Sequence, residues 1–195
     1  ETGISIDIID GRQEASFLFK NKPKDLFSEK EACLLIDVGG GSTEMTLFYQ
    51  GRRIASESFN LGAIRLFKKQ ADPLIWEAVE HWVKDNTAGY NSIVAIGSGG
   101  NINKLFRLAK GKKGKPVSCK TLTSIYKLLR QLSIDQRIKQ FRLRPDRADV
   151  IVPASEIYLK IMQWSGCRNI HVPMLGLSDG MIRVLHERRS GIFFY

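Results

Sequence analysis

Two short apolar runs in this sequence each end in glycines, and that shared ending constrains the fold more than any other feature. Ala32–Val38 runs into Gly39-Gly40-Gly41, and residues 92–96 run into Gly97-Ser98-Gly99-Gly100. A short run that is apolar at nearly every position reads as a strand buried on both faces, and such strands belong to sheets covered by helices. Glycine at the strand end lets the backbone turn sharply and brings its N–H groups into reach of a ligand. An α/β layer architecture with ligand contacts at the carboxyl ends of its strands is the expectation.

The rest of the chain fits that frame. Thr43–Tyr49 and Arg52–Phe59 read as two further strands, joined by Gln50-Gly51, which permits a hairpin turn. Residues 61–86 are helical in character, with Asp72-Pro73 placed as a cap and first-turn proline. Residues 102–109, 121–132, 134–141 and 147–164 follow as helices, residues 169–172 as a last strand and residues 178–188 as a last helix. Upstream, residues 4–9 alternate as a strand, residues 11–20 are helical and include Glu14, and residues 21–31 with Pro23 suit a linker. From residue 32 the order is βββαβαβα, with three helices grouped in the middle. That predicts a mixed sheet with helices on both faces.

The 195 residues, 43% of them hydrophobic, are enough for a sizeable core. No apolar run approaches the roughly 18 to 20 residues of a membrane span, so no membrane partner is expected. Cys33, Cys119 and Cys167 form no close pair, which excludes a disulfide framework and a zinc knuckle and makes a reducing cytoplasm the expected location. The net charge of +10 is concentrated. Residues 104–147 hold fourteen Lys and Arg against Asp135 and Asp146, a net +12, so the remaining residues sum to −2. Such a block is either a solvated helical face with a flexible basic loop or an attractor of polyanions, and charge alone does not separate nucleic acid from phosphate chains.

The turns narrow the chemistry. In Asp37-Val38-Gly39-Gly40-Gly41-Ser42-Thr43-Glu44, the glycine amides and the hydroxyls of Ser42 and Thr43 can donate to phosphate oxygens. A bare glycine triplet reads more readily as a plain hairpin than as a phosphate cradle. The flanking Asp37 and Glu44 tip the reading, because two carboxylates beside a phosphate suit a Mg²⁺ ion. Gly97, Ser98, Gly99, Gly100 and Asn101 open a helix, whose amides and dipole favour a second anion. Neither turn has P-loop or GxGxxG spacing. His81, His171 and His186 are scattered, no GxSxG elbow occurs, and Cys33 lies in an apolar strand, so no covalent nucleophile is evident. What remains is a water activated by a carboxylate, for which Glu14, Asp37 and Glu44 are the candidates.

Taken together, TGISIDIIDGRQEA, IDVGGGSTE, AIGSGGNINKL, RPDRADVIVPA and GLSDGMI closely resemble the exopolyphosphatase and guanosine pentaphosphate phosphohydrolase family, within the superfamily of sugar kinases and actin. The resemblance implies a ribonuclease-H-like (actin-like) lobe and Mg²⁺-assisted removal of terminal phosphates. It places Glu14 as the activator of the attacking water and Asp37 and Glu44 around phosphate and metal. It makes Gly39, Gly40, Gly41, Ser42 and Thr43 the main phosphate loop and residues 97–101 the second, Asn101 standing where the family often has threonine. Arg147 is a further candidate anion contact.

The family also has an N-terminal lobe with its own glycine turn, which this sequence does not show. The expectation is therefore a remnant of that lobe and a crossing helix over residues 1–30, then a C-terminal phosphate-binding lobe over residues 31–195 with a basic helical insertion around 104–147. Such a piece is expected to hold half a cleft and to be inactive alone, with the absent lobe as its natural partner. A strand at residues 4–9 without its parent sheet invites a homodimer. The implied substrates are inorganic polyphosphate, favoured by the basic block, or guanosine pentaphosphate. A non-catalytic actin-like nucleotide-binding module is the competing class. A basic RNA-binding domain ranks last, since no aromatic recognition motif accompanies the lysines.

Overall fold

The computed structural model describes residues 31–174 together with Ile182, Leu185 and His186. The expected strand at 4–9, the helix carrying Glu14, the linker and most of the helix at 178–188 lie outside the described residues. Among the described residues six strands form one sheet: β1 (Ala32–Val38), β2 (Thr43–Tyr49), β3 (Arg52–Phe59), β4 (Ile93–Ser98), β5 (Val117–Ser118) and β6 (Asn169–His171), in the order β3-β2-β1-β4-β6-β5. The β1-β2-β3 meander is antiparallel, β1–β4 and β4–β6 are parallel, and β5 pairs antiparallel to β6 at the edge. The hairpin between β2 and β3 turns at Gln50 (φ 50°) and Gly51 (φ 74°), both left-handed as the right-handed twist of the strands favours.

Period-two alternation sorts the strand side chains between the faces. Ala32, Leu34, Ile36 and Val38 of β1 and Met45 and Leu47 of β2 belong to the main core, while Cys33, Leu35, Phe48 and Ile96 form a smaller cluster on the other face. The helices are α1 (Ala63–Phe67), α2 (Ile75–Thr87), α3 (Gly100–Leu108), α4 (Cys119–Gln131), α5 (Ile134–Phe141), α6 (Pro145–Ala148) and α7 (Ile151–Trp164). Among the described residues, their buried apolar side chains all join the main core. Helix α7 is central, touching α1, α2, α3, α4, α6 and β1. Ile151, Ala154, Ile157, Tyr158, Ile161 and Met162 are fully buried on it, and each of the larger apolar ones contributes roughly 1.5–3 kcal/mol.

Two expected helices are each broken in two. Residues 61–86 split into α1 and α2: Lys69 turns left-handed (φ 57°), and Asp72 accepts from Leu74 N at 2.9 Å just before α2 begins. Asp72 therefore shapes the approach to the helix rather than capping it. Residues 147–164 split at Asp149-Val150, because the ring of Pro153 would collide with the Asp149 carbonyl in a continuous helix. The chain instead makes α6, with Pro145 in its first turn, and restarts at Ile151, leaving Pro153 in the tolerated first turn of α7. Strand β5 was not foreseen. Ser118 ends it and caps α4, its hydroxyl accepting from Thr121 N at 3.0 Å.

Candidate phosphate-binding site

Parallel pairing sets the carboxyl ends of β1 and β4 side by side, with Asp37 opposite Ser98. Asp37 also lies opposite Glu44 of β2, and Glu44 opposite Ser58 of β3. Directly opposed residues share a face, so Ser58, Glu44, Asp37 and Ser98 form a polar row across four strands, above the apolar cluster of the second face. Ser98 donates its hydroxyl proton to Asp37 Oδ2, while Glu44 Oε1 accepts from Ser42 at 2.6 Å and Ser58 at 3.1 Å. Burial pushes the Asp37 carboxyl above its ordinary pKa; the Ser98 hydrogen bond opposes this and the Glu44 charge adds to it.

The first turn, residues 39–42, is braced from outside. Ala63 N donates to Gly39 O at 2.9 Å, Ile64 N and Arg65 N to Gly40 O at 2.9 and 3.1 Å, and Arg65 Nε to Gly41 O at 3.0 Å. The opening amides of α1 thus consume the turn's carbonyls. Gly39 N closes the turn on Ser42 O at 2.9 Å, but the amides of Gly40, Gly41 and Ser42 donate to no described residue. A turn whose carbonyls are tied back while three amides stay open is suited to an anion. The hydroxyls play another part than the sequence suggested. Thr43 is fully buried and donates to Leu61 O, and Ser42 donates to Glu44, so both stiffen the turn.

The second turn begins later than the glycine run. Gly97 and Ser98 are buried within β4, where a Cβ on Gly97 would lie 2.7 Å from Ile102 Cγ1, so Gly97 serves the packing of α3 on the sheet. The turn proper is Gly99, at φ 95° and ψ 168°, followed by α3, whose first amides have neither an intrahelical acceptor nor a side-chain cap. The two turns meet at Asp37: a Cβ on Gly99 would lie 2.9 Å from its Oδ1. Arg147 joins them from α6. Its guanidinium packs on Gly100, where a Cβ would lie 2.9 Å away, and reaches the buried Asn101 Oδ1 at 3.5 Å. The structure thereby gathers residues 37–44, 97–101 and Arg147 at one sheet end, while Glu14 lies outside the described residues.

A metal can be tested against this row. Two carboxylates directly opposite on adjacent strands repel one another, and each keeps an oxygen free of hydrogen bonds to described residues. Hard oxygen donors in that number match Mg²⁺, which is held by one or two carboxylates and completes its shell with water and phosphate. Among the described residues no group of three or more His, Cys, Asp or Glu could hold a metal.

One residue of the site escaped the sequence reading. Tyr158, on α7, is fully buried; its hydroxyl donates to Ser98 O at 2.7 Å and accepts from Val38 N at 3.2 Å. Burial above all, and then the Asp37 charge, hold its pKa well above the usual phenol value, which keeps the donor proton in place. The signal was available, because a tyrosine on the buried stripe Ala154, Ile157, Tyr158, Ile161 needs a partner for its hydroxyl.

The basic block is only partly free for ligands. Arg137 is spent on the fold, donating Nε to Leu129 O at 2.8 Å and Nη1 to Ala148 O at 2.9 Å. No helix among the described residues is long and apolar enough to cross a membrane.

Comparison with known proteins bears on this geometry. The model of the Ppx/GppA phosphatase family matches residues 1–188. A search of curated proteins by sequence found no match. An exopolyphosphatase from Cytophaga hutchinsonii aligns over 99% of this chain and 68% of its own, with a TM-score of 0.76 and 20% identity. The Aquifex aeolicus Ppx/GppA family member aligns over 96% and 67%, with a TM-score of 0.73 and 22% identity. The type II variant of the Aquifex aeolicus Ppx/GppA phosphatase covers 87% and 61%, with a TM-score of 0.69 and 21% identity. The chain spans between 61% and 68% of the length of these structures. Their shared fold, an α/β fold with a mixed sheet and helices, is the one described above. On the family match across nearly its whole length, the chain belongs to the Ppx/GppA phosphatase family.

Proposed function

We propose that this chain is the phosphate-holding part of a phosphoanhydride hydrolase that releases terminal orthophosphate from inorganic polyphosphate. One observation carries the reading: two turns with open amides leave the adjacent parallel ends of β1 and β4, beside the carboxylates of Asp37 and Glu44 that face each other across the antiparallel pair β1 and β2. The amides of Gly40, Gly41 and Ser42 hold the terminal phosphoryl group. Gly99, Gly100 and Asn101 at the start of α3, with Arg147, hold the next phosphate. Asp37 and Glu44 would hold Mg²⁺, which when bound offsets the charge on the phosphate oxygens. Glu14, which the sequence motif places at the reaction, orients a water for attack on the terminal phosphorus and takes its proton. Catalysis of this kind rests on positioning and charge stabilisation. The basic residues of 104–147 favour a long polyanion over guanosine pentaphosphate.

The test is binding and turnover of long-chain polyphosphate with Mg²⁺, with guanosine pentaphosphate as competitor. This chain is expected to bind polyphosphate with strong salt dependence and to release little orthophosphate alone, turnover appearing when the N-terminal lobe of the family is supplied. Within that two-lobed protein, Glu14→Gln is expected to keep affinity while turnover falls roughly 10²-fold or more. Absence of binding would remove the reading; tighter binding of guanosine pentaphosphate would exchange the substrate; substantial release by this chain alone would end the claim of inactivity.

A further inference from the structure

The three cysteines are far apart in sequence, and the fold brings two of them together. Strand β5 runs antiparallel to β6, with Val117 opposite Ile170 and Ser118 opposite Asn169. Cys119 N donates to Arg168 O at 2.8 Å, which carries the ladder one residue further and sets Cys119 beside Arg168, the neighbour of Cys167. With about 5.5 Å across such a pair and about 3.3 Å of rise per residue, the α-carbons of Cys119 and Cys167 stand about 6 Å apart. Disulfides span about 4.4–6.8 Å between α-carbons. A regular strand would turn neighbouring side chains to opposite faces, but neither cysteine sits in one. Cys119 opens α4, and Cys167 follows Gly166, whose φ of 70° lies just beyond the end of α7. Both instead border one surface depression, together with Ser118, Met162 and Gly166.

The two thiols differ in access. Cys119 is half-buried, whereas Cys167 is buried and donates its thiol to Ile93 O at 3.4 Å. Burial pushes the Cys167 thiol above its ordinary pKa; a hydrogen bond with Ser165 opposes this and the Cys119 charge adds to it, so the two sulfurs lie within electrostatic reach of each other. The more exposed thiol meets an oxidant first, and the buried one waits in its protonated form. We propose that Cys119 and Cys167 are a redox modification site, closed to a disulfide by a low-molecular-weight disulfide such as oxidised glutathione and reopened by excess thiol. The Cys119 thiolate attacks one sulfur of the oxidant, breaks its S–S bond and expels one small thiolate, which takes up the proton that Cys119 gave up. Cys167 then loses its proton and attacks Cys119 Sγ, expelling the second small thiolate, which is protonated in turn. The two cysteines lose two electrons, and the oxidant gains them as it becomes two thiols. Cys33, buried in β1 with the apolar cluster of the second face, takes no part. The bond ties the start of α4 to the link between α7 and β6, at the end of the sheet away from the phosphate turns.

In the experiment the folded chain is incubated at neutral pH with oxidised glutathione, and whole-protein mass, free-thiol count and peptide map are read together. The expected product is lighter than the reduced chain by about 2 Da, the two hydrogens lost. It keeps Cys33 as its one free thiol, yields a peptide linking Cys119 to Cys167, and returns to the reduced form with dithiothreitol. It melts cooperatively at a temperature no lower than that of the reduced chain, because the bond closes a long loop between residues already in place. Cys167→Ser is expected to stop at a mixed disulfide on Cys119, and Cys119→Ser to leave Cys167 unreacted. A mixed disulfide that persists on Cys119 of the unaltered chain, a link through Cys33, a lowered melting temperature, or all three thiols remaining free would each overturn the proposal. Should either serine variant not fold, the peptide map and melting temperature of the unaltered chain decide alone.

Discussion

The two glycine turns look alike in sequence and are held by different physics. The first joins antiparallel strands and takes its shape from α1, whose amides and Arg65 engage three consecutive carbonyls. None of Gly39, Gly40 and Gly41 adopts a left-handed φ. The glycine required here on steric grounds is Gly62, twenty residues on, where a Cβ would collide with the backbone of Gly40 and Gly41. The second turn carries its own requirement at Gly99, with φ 95° and Asp37 alongside. One turn is shaped by its neighbours and the other by its own backbone. Glycine therefore signifies close approach in the first case and conformation in the second.

The largest effect expected from that contrast is at Gly62. Gly62→Ala has no flexible side chain to push aside, so the 39–41 segment must move; chemical denaturation should show a loss of about 1–3 kcal/mol, and phosphate binding should disappear with it. A variant of unchanged stability would mean that α1 does not brace the turn. Gly99→Ala comes next. Its backbone, at φ 95° and ψ 168°, lies in a region essentially confined to glycine and costs another residue about 1–3 kcal/mol, and the new methyl group presses on Asp37. This variant should weaken a polyphosphate ligand more than orthophosphate, whereas Gly62→Ala should weaken both. The same pattern in the two variants would erase the distinction between the turns.

The sequence reading succeeded where the signal was local. Short apolar runs marked β1 and β4, Gln50-Gly51 marked the hairpin, and the glycine endings located both turns. It failed where the signal was carried by distant residues. Nothing near residues 39–41 says that α1 will take their carbonyls, or that Thr43 will spend its hydroxyl on Leu61. The breaks in residues 61–86 and 147–164 were more accessible, since the Pro153 ring conflicts with a helix carbonyl four residues back. Tyr158 and Arg147 differ in the same way. Arg147 was picked out by a motif, while Tyr158 joins two strand ends sixty and more residues away in sequence.

Gly41 separates a cradle from an ordinary hairpin. A Cβ there would meet nothing within 4 Å, and its φ is not left-handed. On structural grounds Gly41→Ala should therefore raise stability by about 0.4–1 kcal/mol through the unfolded chain. If the turn exists to admit a phosphate, the same methyl group obstructs it, and affinity for orthophosphate should fall about tenfold, or 1.4 kcal/mol. Stability and affinity moving in opposite directions is the expected pair of results. Gains in stability with unchanged affinity would leave only a hairpin.

The smallest effect concerns charge. The folded-state pKa of Asp37 is raised, chiefly by burial and further by Glu44, so the native protein holds that proton more tightly than the unfolded chain does. Stability must then fall as pH rises from the ordinary aspartate value of 3.8 through the folded-state pKa, because in that window the unfolded state has lost the proton and the native state has not. Asp37→Asn removes this dependence. It should flatten the stability profile over that window and raise the melting temperature at neutral pH. A cation between Asp37 and Glu44 would relieve the same burden, so Mg²⁺ should raise the melting temperature of the unaltered chain at neutral pH and leave Asp37→Asn unmoved. Equal shifts in both proteins would place the ion elsewhere, and the two carboxylates would then face one another for a reason other than metal binding.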